Sequence, residues 1–511
     1  MTFDPAPPLS APVASGGADP RLRPLPGGTR PDHVTALLDA LRVGLADVAP
    51  SATAPPVVLV PHAPGDDGAA VVEALRRRLR RPVPPGTAVI LQTSGSTTGT
   101  GHLVALPTGS LTASARATEE RLAGPGQWLL AVPAHHVAGL QVLVRSVVAG
   151  TTPVVLDTTA GFDPRALADA ANAMRTDVPG YLSLVPTQLV RVLETGEEAV
   201  APLRRLAAIL VGGAATAPRA LEQARARGLK VVTTYGMTET GGGCVYDGRP
   251  LPGVRLRLTG ADDRVEITGP VLAAGYLDDP VADAESFRSE DGVRWLRTSD
   301  RAVIVPSAEA APRISGPLHA DGHPPTPGPR SGPLTARELG DDPPLRLRVL
   351  GRVDDLINTG GIKVSPGAVE RILAGHPAVA EVAVVPVPDP EWGELVTAVV
   401  VAAPGEAAPE LTPLRKLVSA ELDGAHAPRA LIELTELPLR GPGKVDRRTT
   451  AQLAARALQA PQTLQATKTV QAPEERAGTN PAGHATADEH QHEAAVVRTE
   501  RYDGAAVPAE R

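Results

Sequence analysis

The feature that most narrows the fold is an alternation. Short β-rich runs at residues 57–60, 88–91, 128–132, 153–156, 208–211 and 230–234 are separated by stretches with apolar residues at helical spacing. Strands alternating with helices in this way build parallel sheets covered on both faces, so the pattern predicts an α/β protein. The first helical stretch covers 34–48, where Leu37, Leu38, Leu41 and Leu45 fall on one face. Further runs at 254–258 and 264–268, with turns at Gly260 and Gly269, predict a smaller β unit. A helix over 368–373 followed by strands over 379–386 and 395–401 predicts a small α+β domain after it.

With 54 Pro and 50 Gly in 511 residues, the chain holds too many breakers to be compact throughout. They concentrate where periodicity is lost. The expected division is therefore a disordered extension over 1–30 and a large domain over 31–350, carrying a Pro/Gly-rich insertion at 307–344. A small C-terminal domain over 351–456 and a disordered tail over 457–511 follow. A net charge of -7 gives no basic surface for nucleic acid. The single cysteine, Cys244, has no internal partner, and no Cys/His group has zinc-site spacing, which favours a reducing compartment. The N-terminus lacks the basic start and apolar stretch of a signal peptide, and no apolar run reaches the roughly 18 residues of a membrane span, so a cytoplasmic location is expected.

Several turns carry chemistry. The run at 88–91 passes into Thr93, Ser94, Gly95, Ser96, Thr97, Thr98 and Gly99. Small residues let backbone amides approach phosphate oxygens and the hydroxyls add donors, so such a loop after a strand can cradle a polyphosphate. No Gly-Lys-Ser/Thr ends it, so it is not a Walker A loop. Gly212, Gly213 and Ala214 follow another strand and offer a flat surface for a nucleobase. Tyr235, Gly236, Met237, Thr238 and Glu239 follow a third, where Tyr can stack on a base, Thr can bond a phosphate and Glu can ligate a hard cation. Asp300, in Thr298-Ser299-Asp300, can accept both hydroxyls of a ribose.

In this order the turns resemble the adenylate-forming superfamily of acyl-CoA ligases, luciferases and peptide-synthetase adenylation domains. The resemblance extends over 85–448 and includes 269–277, 351–355, 360–363 and 443–447. It implies a large N-terminal domain of layered α/β subdomains plus a small β unit, followed by a small mobile α+β C-terminal domain. It implies ATP, Mg2+ and CoA as ligands. Gly213, Ala214, Tyr235 and Gly236 would surround adenine, and Asp300 and Arg352 the ribose. Thr93, Ser94, Gly95, Ser96, Thr97 and Thr238 would meet the phosphates and Glu239 the metal. Lys444 would be the catalytic lysine, bridging the acyl carboxylate and the α-phosphate, Asp354 the hinge, and Gly360, Gly361 and Lys363 part of the CoA channel. The loop closes on Gly101-His102, where the family has Pro-Lys.

The stretches 131–146 and 183–189, with a shortened region ahead of the phosphate loop, resemble one branch of that family, the o-succinylbenzoate:CoA ligases of menaquinone biosynthesis. An acid that keeps a second carboxylate needs donors or a cation in its pocket, where a fatty acid needs an apolar one. Arg145, Ser183, Thr187, Gln188 and Thr240 are the candidates, with His136 as a gating or catalytic residue at a helix start. Another acyl- or aryl-CoA ligase, a non-catalytic adenylate-binding homologue and an adenylation domain feeding a carrier protein are the alternatives. The partners implied are the acid, ATP and CoA, with a homodimer compatible.

Overall fold

The computed structural model describes residues 21–46, 56–93, 101–306, 337–339, 345–403, 405–407, 409–440, 444–459 and 496–502. Two sheets form the body of the large domain. The first runs Arg21–Pro26, Val57–His62, Thr87–Gln92, Leu103–Pro107, Gly275–Tyr276 in spatial order. Its first three strands are parallel, but Thr87–Gln92 and Leu103–Pro107 are antiparallel neighbours, so the phosphate-loop segment connects two adjacent strand ends.

The second sheet has seven strands, and its parallel core sets Gln127–Leu130, Gly180–Leu184, Ala208–Val211 and Val231–Met237 side by side. Those first three strands are almost wholly buried because both faces are covered, which is why their sequences read as apolar runs and not as alternations. The pleat still sorts them: Trp128, Leu130, Tyr181 and Leu210 enter one core, and Leu129, Leu182 and Ile209 the other.

A third sheet forms the small β unit, with Val293–Pro306 between Arg264–Thr268 and Leu345–Arg352. The small C-terminal domain is a sheet of Ile362–Val364, Ile357–Thr359, Gly393–Ala402, Ala430–Leu434 and Val496–Arg501, with Val379–Asp389 also on Gly393–Ala402. Helices Pro366–Leu373 and Leu411–Glu421 contribute to one core beside it and Arg447–Gln459 to another. The α/β expectation holds, as do the elements expected from 57 to 234 and from 368 to 401.

Three boundaries are corrected. The expected extension over 1–30 contains the strand Arg21–Pro26 and a turn into the helix Pro31–Gly44; residues 1–20 lie outside the described residues. Pro24 and Pro26 hid this strand, yet it is the edge of its sheet, where a missing N–H is tolerated. The expected tail over 457–511 contains the end of the helix Arg447–Gln459 and the strand Val496–Arg501. The insertion over 307–344 contains Arg337–Leu339, antiparallel to Arg255–Thr259, and its remainder lies outside the described residues.

Candidate active site

The site lies where the ends of the parallel strands face the small domain. Beyond Ala208–Val211 the chain turns at Gly212, where a Cβ would stand 2.1 Å from Thr234 Oγ1. Only glycine fits that approach. Gly213, at φ +84°, and Ala214 then form an exposed rim. On the next strand Tyr235 donates its phenol proton to Asp300 Oδ2 at 2.7 Å. Burial, then the Asp300 carboxylate, pushes the Tyr235 phenol well above its ordinary pKa, so it acts as a fixed donor. Burial likewise raises the Asp300 carboxyl, against the Tyr235 bond and the Arg352 charge. Asp300 and Arg352 are register partners across antiparallel strands. Arg352 also bonds Asp354 through Nε at 3.0 Å and Nη2 at 2.7 Å. Burial disfavours its cation, but Asp354 and Asp300 outweigh that and hold its pKa above normal.

Glu239 is buried in the turn Thr238–Thr240, where Thr238 is half-buried. Its Oε1 accepts from Tyr276 Oη at 2.7 Å. The Tyr276 ring is stacked on His102, centroids 4.4 Å apart. His102 in turn closes the mouth of the phosphate loop: Thr93 N–H donates to its carbonyl at 2.9 Å, and its own N–H donates to Thr93 Oγ1 at 2.8 Å. Asp278 accepts from Leu103 N–H at 2.9 Å and Arg78 Nη2 at 2.5 Å, while the same Arg78 group donates to the Gly101 carbonyl. Both ends of the loop are thereby anchored. Ser94, Gly95, Ser96 and Thr97 themselves lie outside the described residues.

From the small domain Lys444 extends to this rim, its Cε 3.9 Å from where a Cβ on Gly213 would stand. Lys444 is exposed, and crowding by the facing domain lowers its pKa, opposed by Glu239 and Asp300. His136 caps the helix Val137–Val148; burial, then the Lys444 charge, takes its imidazole down to about 4. His135 packs beside it at 4.3 Å between centroids and accepts from Gly28 N–H through Nδ1 at 3.0 Å. Burial, then His136 and His62, takes His135 to about 3. Both imidazoles are thus neutral near neutral pH, and His136 is the one that senses Lys444.

Three expected residues stand apart from this group. Gly360 and Gly361, at φ +57° and +82°, form the two-residue loop of an exposed hairpin whose flanking pair is Thr359 and Ile362, and Lys363 is exposed beside them. Positive φ at both loop residues is what a type I′ turn requires. Asp354, the expected hinge, is exposed and occupied by Arg352.

The acid-binding candidates divide. Two of them bond backbone groups through their polar atoms. Gln188 accepts from Val185 N–H at 3.1 Å and donates to the Ala131 carbonyl at 2.9 Å, as a residue at N3 of its helix can. Thr240 Oγ1 accepts from Met237 N–H at 3.0 Å and donates to the Gly242 carbonyl at 2.7 Å. Ser183 is buried in its strand and Thr187 is half-buried at the start of the helix Pro186–Thr195.

Arg145 is 3% exposed, donates to Tyr246 Oη at 3.1 Å and lies over the Trp128 ring at 4.8 Å. Among the described residues no carboxylate pairs with it, and its Nε has no partner. Burial lowers its pKa against the Tyr246 phenol, so the cation is held at a cost that no ion pair offsets among the described residues. The sequence reading gave no role to Tyr276, His135, Asp278 or Arg78. Tyr276 could have been noticed as one of only five tyrosines, inside a motif already singled out.

The residues fit a hard cation at Glu239. Oε2 carries no hydrogen bond among the described residues, and no group of three or more His, Cys, Asp or Glu gathers there. A cation that takes one carboxylate oxygen and completes its shell with phosphate oxygens and water suits such a position.

The fold and this cleft define a nucleotide-dependent, acid-activating enzyme, and comparison agrees. The AMP-binding enzyme family matches residues 29–277, and the AMP-binding enzyme C-terminal domain matches 368–444. The chain belongs to the AMP-binding enzymes. It is 42% identical over 370 residues to a probable 2-succinylbenzoate–CoA ligase of Mycobacterium tuberculosis, covering 72% of this chain and 85% of that protein. It is 31% identical over 282 residues to the 2-succinylbenzoate–CoA ligase of Escherichia coli, covering 53% and 49%. In fold it is similar to o-succinylbenzoate CoA synthetase from Bacillus subtilis in complex with OSB-AMP, with a TM-score of 0.58 and 22% identity over 85% of this chain and 88% of that one.

Proposed function

We propose that the chain is an AMP-forming acid–thiol ligase that activates o-succinylbenzoate and transfers it to CoA, a step of menaquinone biosynthesis. In the first half-reaction a carboxylate oxygen of the acid attacks the α-phosphorus of ATP. The new O–P bond forms as the bond to the β-phosphate oxygen breaks, and pyrophosphate leaves. In the second, the CoA sulfur attacks the acyl carbon of the mixed anhydride and AMP departs with the bonding pair.

The observation that carries this reading is Lys444 lodged against Gly213, with Glu239, Asp300 and His136 as its electrostatic neighbours. A compact ammonium there offsets repulsion between two anions and follows the charge that develops between acid and α-phosphate. Gly213, Ala214, Tyr235 and Gly236 hold the base, and Asp300 with Arg352 the ribose. Thr93, Ser94, Gly95, Ser96, Thr97 and Thr238 serve the phosphates. Magnesium, held through Glu239, supplies charge neutralisation at those phosphates. The neutral His136 can stand beside an anionic acid without adding a competing proton.

The choice of acid is supported by the similarity to the M. tuberculosis ligase, and Arg145, a buried cation on the helix that His136 begins, is the residue assigned to the second carboxylate. Gly360, Gly361 and Lys363 stand on an exposed hairpin, and in this reading rotation of the small domain about Asp354 completes the CoA channel. A cytoplasmic site of action follows from the need for ATP and CoA, and a homodimer is part of the reading, checked by light scattering.

The test is magnesium- and ATP-dependent formation of AMP and thioester from o-succinylbenzoate, benzoate and octanoate. Selective turnover of o-succinylbenzoate is expected. Turnover of another acid alone would keep the ligase and remove this substrate, and ATP binding without AMP from any acid would remove catalysis.

A further inference from the structure

The strand Val496–Arg501 closes the edge of the small-domain sheet, pairing antiparallel with Ala430–Leu434. It lies beyond the residues matched by the C-terminal family pattern, which end at 444. Its side chains do more than cover an edge. Glu500 Oε2 accepts from Leu411 N–H at 2.8 Å, serving an otherwise unsatisfied amide at the start of the helix Leu411–Glu421. Arg501 Nη2 donates to Asp389 Oδ2 at 2.7 Å, and the Asp389 side chain is only 2% exposed.

Asp389 is the pivot of the turn between Val379–Asp389 and Gly393–Ala402. Its Oδ1 accepts from Glu391 N–H at 2.9 Å and Trp392 N–H at 3.0 Å. Trp392 meets the glycine hairpin directly: its carbonyl accepts from Gly360 N–H at 2.9 Å, and a Cβ on Gly360 would stand 3.1 Å from its Cε3. The strand reaches Trp392 by a second route. Tyr502 N–H donates to the Arg429 carbonyl at 2.9 Å, and the Arg429 guanidinium lies 3.4 Å above the Trp392 ring. Arg415 packs on Tyr502 at 3.7 Å and secures the end of the segment.

We infer that the C-terminal strand is a positioning element for thioester formation, holding the Trp392 turn, and through it the Gly360–Gly361 hairpin, in the shape that CoA must pass. Arg501 is the positioning residue. This rests on the reading of that hairpin as part of the CoA channel. Arg501 bonds Asp389 and not Lys444, so the CoA step is expected to respond to its loss more than adenylation does.

The experiment uses the full chain with Arg501→Ala, Arg501→Lys and Gly360→Ala. Pyrophosphate release measures adenylation, and thioester formation from supplied o-succinylbenzoyl-adenylate and CoA measures the second step. Arg501→Ala is expected to raise the KM for CoA about fivefold, within the range for contacts acting at one remove, and to leave adenylation within about twofold. Arg501→Lys should restore most of the difference, because the ammonium keeps the charge on Asp389. An unchanged KM for CoA, or equal loss in both half-reactions, overturns the proposal. Gly360→Ala separates the two levels: no effect on the CoA step removes the channel reading and the proposal with it. An effect of Gly360→Ala with none from Arg501→Ala removes the strand's role alone.

Discussion

Tyr276 donates its phenol proton to Glu239 Oε1 at 2.7 Å while His102 is stacked against its ring at 4.4 Å. One aromatic side chain therefore links the anchor of the phosphate loop to the carboxylate proposed to hold the cation. The same contact leaves Glu239 one oxygen for that cation and fixes where it points.

Removing the phenol tests this directly. Tyr276→Phe keeps the ring against His102 but releases Glu239, and a hydrogen bond to a charged group contributes about 1.5 to 3 kcal/mol. Adenylation is expected to fall about tenfold or more, with half-saturation by Mg2+ moved upward. A magnesium titration of pyrophosphate release, together with calorimetric binding of Mn2+-ATP, reads the effect. Unaltered cation dependence would show that Glu239 is positioned without Tyr276.

Lys444 separates the two half-reactions. Lys444→Ala should reduce adenylation about a thousandfold, the scale seen when one preorganised transition-state donor is lost. Thioester formation from a supplied acyl-adenylate should change by no more than about threefold, since no α-phosphate attack remains to be assisted. Lys444→Arg is not expected to recover the first step, because a planar fork cannot take the place of a point charge against Gly213. Equal losses in both steps would remove the proposed role.

The neighbouring imidazoles give the protein an acid limit. His135 and His136 have folded pKa values of about 3 and about 4, below the ordinary 6.5. Between those values and 6.5 the unfolded chain binds protons that the folded chain refuses, so stability is full above 6.5 and falls as the pH drops. From neutral pH to pH 5 each histidine should remove about 2 kcal/mol. Urea unfolding at both pH values checks this. His135→Asn, whose Oδ1 can still accept from Gly28 N–H, should roughly halve the loss; an equal loss in wild type and variant would place the acid sensitivity elsewhere.

What the sequence could and could not reveal divides along physical lines. The parallel core was legible because strands buried on both faces must be apolar throughout, and the nucleotide turns because close backbone approaches demand glycine, as at Gly212 and Gly236. Arg21–Pro26 was not, since proline content is read as disorder although a sheet edge accepts it. Val496–Arg501 was concealed in the same way by polar surroundings, its pairing being decided by a strand some sixty residues earlier. Within the site, Gln188 and Thr240 have the right chemistry for an acid, but their turns claim them for backbone groups. Composition does not disclose which partner a polar side chain takes. The His102, Tyr276 and Glu239 chain joins three segments distant in sequence and needed the fold to appear.

Arg145 offers the sharpest test of the acid. It is held by Tyr246 and Trp128, with no carboxylate among the described residues to offset its burial. If that charge serves the retained carboxylate of o-succinylbenzoate, stability and recognition should respond in opposite senses. Arg145→Met keeps a long apolar side chain beside Trp128 and removes the desolvation cost, and Tyr246 retains Thr118 as a partner at 3.1 Å. Replacing buried charge by apolar bulk is neutral or stabilising by about 1 to 4 kcal/mol, so the melting temperature should hold or rise. The KM for o-succinylbenzoate should rise about tenfold or more, the scale of one charge-assisted contact, while the KM for ATP is unchanged. Benzoate, which has no second carboxylate, should be used no worse than by the wild type. A variant that melts earlier and binds o-succinylbenzoate as before would make Arg145 a structural cation stabilised by Tyr246 and Trp128, and the anion in the pocket would need another partner.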